Sequence, residues 1–296
     1  MITDTPLTNA STADLAAAVE ENLYALFRAM AAVLPGGELL EDGRFSRHLT
    51  FPHNPMFKGI WRTRLAPGEV DGAIDEAIAW FAERKAPFMY WWTGPGTQPE
   101  DLGEQLAGRG LISMEEQQKQ LAPGIVQTSA GAPAMVADLD QMNEAVLDRA
   151  PRGFTIEEIR DETALYDFKK VFVETYEIPE WAGQAWVDAA LRVGPGRTPW
   201  NTPWKMYLGR LNGEPVATSM LFNGGGVASV YAVGTIPSAR GRGVGAAITL
   251  KPLLEARAMG YRYAVLFSTE MGVPVYERIG FRSTGGRINR YLWRAG

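Results

Sequence analysis

Arg240-Gly241-Arg242-Gly243-Val244-Gly245 stands between the apolar run Val227 to Val233 and a stretch of helical character that opens near Gly243. A strand, a glycine-rich loop and a helix in that order restrict the chain to an α/β architecture. The glycines leave backbone N–H groups unshielded by Cβ atoms, and the first turn of the helix presents further unpaired donors to the same place. Two arginines add positive charge. The loop therefore reads as a cradle for a diphosphate on a phosphorylated carrier.

Charge sharpens that reading. The 296-residue chain carries a net charge of −5, which argues against a nucleic-acid partner held by a basic stripe. Between Thr235 and Arg262, however, Arg240, Arg242, Lys251, Arg257 and Arg262 face only Glu255. A charged helix face accounts for the helical members of that set. Arg240 and Arg242, inside the glycine loop, point instead to an anionic ligand.

The chain has no cysteine, which excludes disulfides, thiolate nucleophiles and an enzyme-bound thioester. Met1 to Ala10 carries no basic residue, and the apolar stretch Ala25 to Leu34 is short and broken by Arg28. Neither a signal peptide nor a membrane span is expected, and a cytoplasmic location is the default. The two histidines, His48 and His53, lack nearby carboxylate partners, so no metal is expected. No G-x-S-x-G sequence occurs, which argues against a serine hydrolase.

The length suggests two domains, at roughly 150 residues each. The first half predicts a helix over Thr12 to Val33 capped by Ser11, extended runs near Phe45 to Phe51 and Phe57 to Leu65, a helix Glu69 to Lys85, an aromatic strand Pro87 to Thr93, a short helix Asp101 to Gly108 and a further strand after Gly110. The second half repeats the alternation: a strand Phe154 to Ile159, a helix marked by Leu165, Phe168, Phe172 and Tyr176, and a second helix Trp181 to Val193. Pro195-Gly196, Pro199 and Pro203 mark an irregular loop. A hairpin is expected across Asn212-Gly213, because both residues tolerate positive φ. Beyond the glycine loop come a helix to about Met259, a strand Tyr263 to Ser268, a short helix Pro274 to Ile279 and a terminal hairpin turning at Gly285-Gly286. Pro252 predicts a kink or an interruption. An antiparallel meander feeding a strand–helix–strand crossover predicts a mixed sheet with helices on both faces.

Arg240-x-x-Gly243-x-Gly245 resembles the acyl-CoA loop of the GNAT superfamily of N-acyltransferases, and Tyr276-Glu277-Arg278-Ile279-Gly280-Phe281 resembles that superfamily's closing motif. The resemblance covers about Phe154 to Arg294, and the preceding half is similar only in outline. It implies two tandem GNAT-like domains: residues 1–150, a diverged copy without a phosphate loop, and 151–296, with the acyl-CoA site. Each would be a mixed, mostly antiparallel sheet with helices on both faces. In the first half, Ala66-Pro67-Gly68-Glu69-Val70-Asp71-Gly72 stands where a phosphate loop would lie. Glu69 and Asp71 would repel a diphosphate, and Pro67 lacks an N–H. That half is left with a structural role or a wall of the acceptor pocket.

The resemblance implies acetyl-CoA or a short acyl-CoA as donor, a small-molecule or peptide amine as acceptor, and no metal, membrane or nucleic acid. Val233, Gly234 and Thr235 would stand nearest the gap between two parallel strands, where the family places pantetheine. Gly241, Arg242, Gly243, Val244, Gly245 and Ala246, with Arg240, would hold the diphosphate. Tyr276 falls at the family's general-acid tyrosine, with a half-buried core tyrosine as the plainer reading. Where the family often has an asparagine, this chain offers Ser268, Thr269 and Glu270. No base stands out: Glu174, Glu177, Glu180 and Glu270 are candidates, with a water-relayed base as the other route. Trp181, Trp186, Trp200 and Trp204 either line an amine pocket or pack the core. Two other functions stay open. One is a non-catalytic acyl-CoA sensor. The other is a dinucleotide-binding oxidoreductase, whose relaxed fingerprint Gly241-x-Gly243-x-x-Ala246 comes too late after its strand and too near the chain's end.

Overall fold

Helix α1 (Thr12–Val33) begins where the sequence places it: the Ser11 hydroxyl accepts from the Asp14 amide while the Asp14 carboxylate accepts from the Ser11 amide, a reciprocal cap. The structure, a computed structural model, describes residues 5–51, 54–66, 68–121, 131–192 and 202–295. His53, Pro67, Pro195, Gly196, Pro199 and Trp200 lie outside the described residues.

The first half contributes β1 (Glu38–Glu41), β2 (Ser46–Leu49), β3 (Lys58–Trp61), α2 (Val70–Glu83), β4 (Phe88–Thr93), α3 (Leu102–Gly108), β5 (Ile112–Ser113), α4 (Met114–Leu121) and β6 (Ala132–Asp138). Then come β7 (Phe154–Glu158), α5 (Glu162–Tyr176), α6 (Glu180–Leu191), β8 (Trp204–Leu211), β9 (Glu214–Gly224) and β10 (Val227–Thr235). The chain ends with α7 (Val244–Ala258), β11 (Tyr263–Phe267), α8 (Val273–Ile279) and β12 (Arg282–Arg294). Asn212 and Gly213, at φ 53° and 91°, make the expected tight turn between β8 and β9.

Among the described residues these strands form one mixed sheet in the order β1-β2-β3-β4-β12-β6-β11-β10-β9-β8-β7, with β5 against β12. All pairings are antiparallel except two: β3 with β4, joined through α2, and β10 with β11, joined through α7. Each half thus holds a meander that ends in one parallel crossover, and the two lie back to back. They also exchange strands. β6, on the N-terminal side of residue 150, pairs along its length with β11, while β12, at the end of the chain, pairs through Asn289–Arg294 with β4.

Helices cover both faces. On one, α1 packs Leu15, Val19, Leu23 and Phe27 against Trp61, Trp92, Val136 and Leu292, and α5 and α6 continue that layer over β8 and β9. On the other, α7 packs over β10, β9 and β8, and α2 and α3 share a core with β3 and β4.

Three sequence expectations are corrected. The terminal hairpin at Gly285-Gly286 is a single strand with a register irregularity between Ser283 and Arg287. Gly285 has φ 80°, and the Ser283 and Thr284 hydroxyls take the Gly285 and Gly286 amides, so the glycines bend β12 rather than reverse it. Of the kink or interruption expected at Pro252, the interruption does not occur: α7 runs unbroken from Val244 to Ala258. Proline leaves the Ile248 carbonyl without its helical donor, and the buried Ser219 hydroxyl on β9 supplies one at 2.9 Å. Strand β6 has no counterpart in the sequence reading, since Pro133-Ala134-Met135-Val136-Ala137 is too short a run to announce itself.

Candidate active site

β10 and β11 share only two parallel register pairs, Ala228 with Ala264 and Ser229 with Val265, and then part. Beyond them β10 is irregular: its register against β9 shifts between Tyr231 and Gly234, and Ala232 sits at φ 50°. This opening is where the sequence places the acyl carrier, and Val233, Gly234 and Thr235 form its β10 side. Gly234 is needed there, because a Cβ would come within 2.8 Å of Thr175 Cγ2 at the end of α5.

The glycine loop follows at once. Arg240 donates through Nε to the Thr235 carbonyl at 3.0 Å and reaches the Thr175 carbonyl at 3.4 Å, so it pins the loop to the strand end. Gly241 and Gly243 take φ 72° and 81°. Gly243 also lies on the carbonyl of Arg149, in a 3-10 turn (Glu144–Arg149), where an added Cβ would come within 2.6 Å of the oxygen. Val244 is buried and anchors the helix, leaving only its amide to the loop.

Among the described residues, the amides of Gly241, Arg242, Gly243, Val244, Gly245 and Ala246 donate to no acceptor; the first bond from this turn is Ala247 N–H to the Gly243 carbonyl. They border a concavity of about 230 Å³ lined by Val146, Arg149, Gly241–Gly243, Ala246, Val275 and Arg278. Arg149, Arg242 and Arg278 have no acidic partner among the described residues. Free peptide donors, a helix N-terminus and three unneutralised guanidinium groups suit a diphosphate. The sequence reading missed Arg149 and Arg278. Arg278 stands inside the quoted closing motif, whereas nothing local marks Arg149.

Tyr276 lies on α8, one residue after Val275 of the concavity wall, with its ring edge-on to Phe281 at 6.0 Å. Surrounding protein raises its pKa, so the phenol keeps its proton at neutral pH. Its hydroxyl has no partner among the described residues. Tyr176, at the end of α5, donates to the Val233 carbonyl at 2.8 Å, and its pKa is also raised, first by desolvation and then by Tyr276.

The other candidates scatter. Glu270 is held by both terminal nitrogens of Arg287 at 2.9 Å. Glu174 and Glu177 are exposed, and Glu180 is exposed and paired with Lys169. Trp186 and Trp204 are buried core residues, and Trp181 lies exposed against Phe88. His48 is buried beneath Phe27, accepts from Trp61 Nε1 at 3.1 Å, and is pushed by burial to about 3, a neutral core histidine. In the first half, the Glu69 carboxylate accepts from the Ala66 amide at 2.7 Å.

Residues 166–281, from α5 to the start of β12, match the model of the acetyltransferase (GNAT) family. The GNAT domain match lies within those residues. Solved GNAT structures match nearly its whole length. A GCN5-related N-acetyltransferase from Kribbella flavida superimposes with TM-score 0.66 at 17% identity, over 94% of this chain and 96% of that one. A GCN5-related N-acetyltransferase from Sphaerobacter thermophilus gives 0.54 at 15%, over 97% and 95%. A tandem GNAT protein from the clavulanic acid biosynthesis pathway gives 0.52 at 12%, over 98% and 97%. At these identities the likeness is one of fold. No curated protein sequence matches significantly. GNAT family and fold support acyl transfer as the general chemistry, and among the described residues no helix is long and apolar enough to cross a membrane.

Proposed function

We propose that this GNAT protein transfers an acetyl or short acyl group from acyl-CoA to a primary amine, using one acyl-CoA site in the second of two units, 1–150 and 151–296. The carrying observation is the row of unbonded amides from Gly241 to Ala246 opening onto a concavity ringed by Arg149, Arg242 and Arg278. The loop and arginines hold the diphosphate, and the β10–β11 opening receives the pantetheine arm along Val233, Gly234 and Thr235.

With no cysteine in the chain, transfer is direct: the amine nitrogen bonds to the thioester carbonyl carbon, the C–S bond breaks, and the sulfur takes a proton. Tyr276 is the donor of that proton. Its raised pKa keeps it a phenol, and its hydroxyl has no competing acceptor among the described residues. An alkyl ammonium of pKa near 10.4 must first lose a proton, about 4–5 kcal/mol at pH 7. With Glu270 neutralised by Arg287 and the α5–α6 glutamates at the surface, water is the better relay for that proton.

The test is acetyl-CoA-dependent release of free thiol across a panel of amines. Release with at least one amine supports the reading. Binding of acetyl-CoA without thiol release from any amine favours a sensor instead.

A further inference from the structure

Arg290 is the unusual cation of this fold. On β12 it alternates with Ile288 and Leu292, both buried in the layer beneath α1, so its side chain enters the same apolar layer. Its guanidinium carbon lies 4.9 Å from the Tyr90 ring centre and 5.6 Å from that of Trp92, and Nη1 is 3.8 Å from Met56 Sδ. Nε is buried and has no acceptor among the described residues.

Three other arginines near this layer are neutralised: Arg28 by Glu41, Arg62 by Glu21, and Arg287, on the same strand, by Glu270. Arg290 has no acidic partner among the described residues. A half-buried charge persists when hydrogen-bonded or paired, and aromatic faces offset only part of its desolvation. The indole N–H of Trp92 is a second buried donor without an acceptor there.

An aromatic wall leads from this cation to the strand opening. Trp92 meets Phe267 at 6.3 Å, and Phe267 meets Tyr231 at 5.9 Å. Tyr231 and Phe267 each stand two residues beyond the last β10–β11 register pair, Ser229 with Val265, so they flank the opening itself. Tyr176, bonded to Val233 on the rim, is close enough for the charge of Arg290 to oppose part of its upward shift.

We propose that Arg290 binds a carboxylate carried by the acceptor, so that the substrate is an amino acid or another amine bearing a carboxylate. The planar fork of Arg matches two carboxylate oxygens, and the Trp92 and Tyr90 faces exclude water from the pair. A single guanidinium favours a monoanion over a phosphate, for which the glycine loop gathers three. This inference rests on the N-acyltransferase reading.

The experiment measures thiol release from acetyl-CoA with glycine, β-alanine and 4-aminobutyrate against alaninamide, propylamine, butylamine and 3-aminopropyl phosphate, in wild type, Arg290→Gln and Arg290→Lys. Wild type should prefer at least one carboxylate-bearing amine to its neutral counterpart by about tenfold or more in kcat/KM, the scale of one charge-assisted pair. Arg290→Gln should abolish that preference mainly through KM, Arg290→Lys should restore part of it, and the melting shift with acetyl-CoA should persist in both. If Arg290→Gln does not unfold cooperatively, Arg290→Lys alone carries the comparison. Equal or better use of neutral amines, an unchanged preference in the variants, or no accepted carboxylate despite acetyl-CoA binding overturns the proposal. Preference for the aminoalkyl phosphate overturns the assignment to carboxylate. Absence of any acetyl-CoA binding defeats the N-acyltransferase reading itself, and this inference falls with it.

Discussion

Gly243 rests on the carbonyl of Arg149: a Cβ at 243 would stand 2.6 Å from that oxygen. The contact joins the glycine loop to the turn that supplies one of the three arginines, so the shape of the loop and the charge of the concavity depend on each other. Gly243→Ala combines this clash with an unfavourable φ of 81°. It should cost about 1–2 kcal/mol, the scale of a non-glycine residue in the left-handed region. It should also abolish the thermal shift with acetyl-CoA; urea unfolding and a melting curve with ligand check both.

Ser219 answers for Pro252. Removing the hydroxyl leaves the buried Ile248 carbonyl unsatisfied, a loss of about 1–3 kcal/mol. In a Pro252→Ala background the new amide supplies the missing helical bond, so Ser219→Ala should cost distinctly less there. A double-mutant cycle in urea measures the difference.

Tyr276→Phe should lower kcat while leaving acetyl-CoA affinity nearly unchanged, because the ring stays and only the proton donor goes. Burial raises the pKa of Tyr276, so the phenol is retained to higher pH than a solvated tyrosine. The rate should therefore rise as the acceptor amine deprotonates, with no falling limb from this group below about pH 10. A pH–rate profile of both forms is the check, and undiminished turnover in Tyr276→Phe removes the acid role.

His48 predicts a slope in stability. Its pKa is held at about 3 by burial, and then by Lys58, against 6.5 for the solvated side chain. Between those values the unfolded state binds the proton that the folded state refuses. Stability from this residue is therefore full above about pH 6.5 and falls on acidification by up to about 1.4 kcal/mol per pH unit. His48→Gln, which keeps an acceptor for Trp61 Nε1, should flatten that slope in denaturant titrations at pH 4 to 7.

The sequence carried what depends on neighbouring residues. Ser11 and Asp14 cap α1, Asn212-Gly213 turns the β8–β9 hairpin, and the strand–loop–helix around Gly241 and Gly243 is found as read. Relations between distant segments were not legible. β6 is too short to recognise until β11 and β12 flank it. Gly285-Gly286 looks like a turn because the bend in β12 is set by partners on both sides, β6 and then β4. Pro252 breaks a helix only where no hydroxyl waits on the next strand. Arg149 and Arg278 gain meaning from the loop they surround, and Arg290 from its isolation among Tyr90, Trp92 and Met56.

Calorimetric titration of acetyl-CoA into wild type and Arg242→Glu is the most direct measurement of the central claim, that the Gly241–Ala246 amides and their arginines hold a diphosphate. One site per chain is expected, with a loss of binding of about tenfold or more in the charge-reversed variant. Two sites per chain, no binding heat, or equal affinity in Arg242→Glu would contradict it.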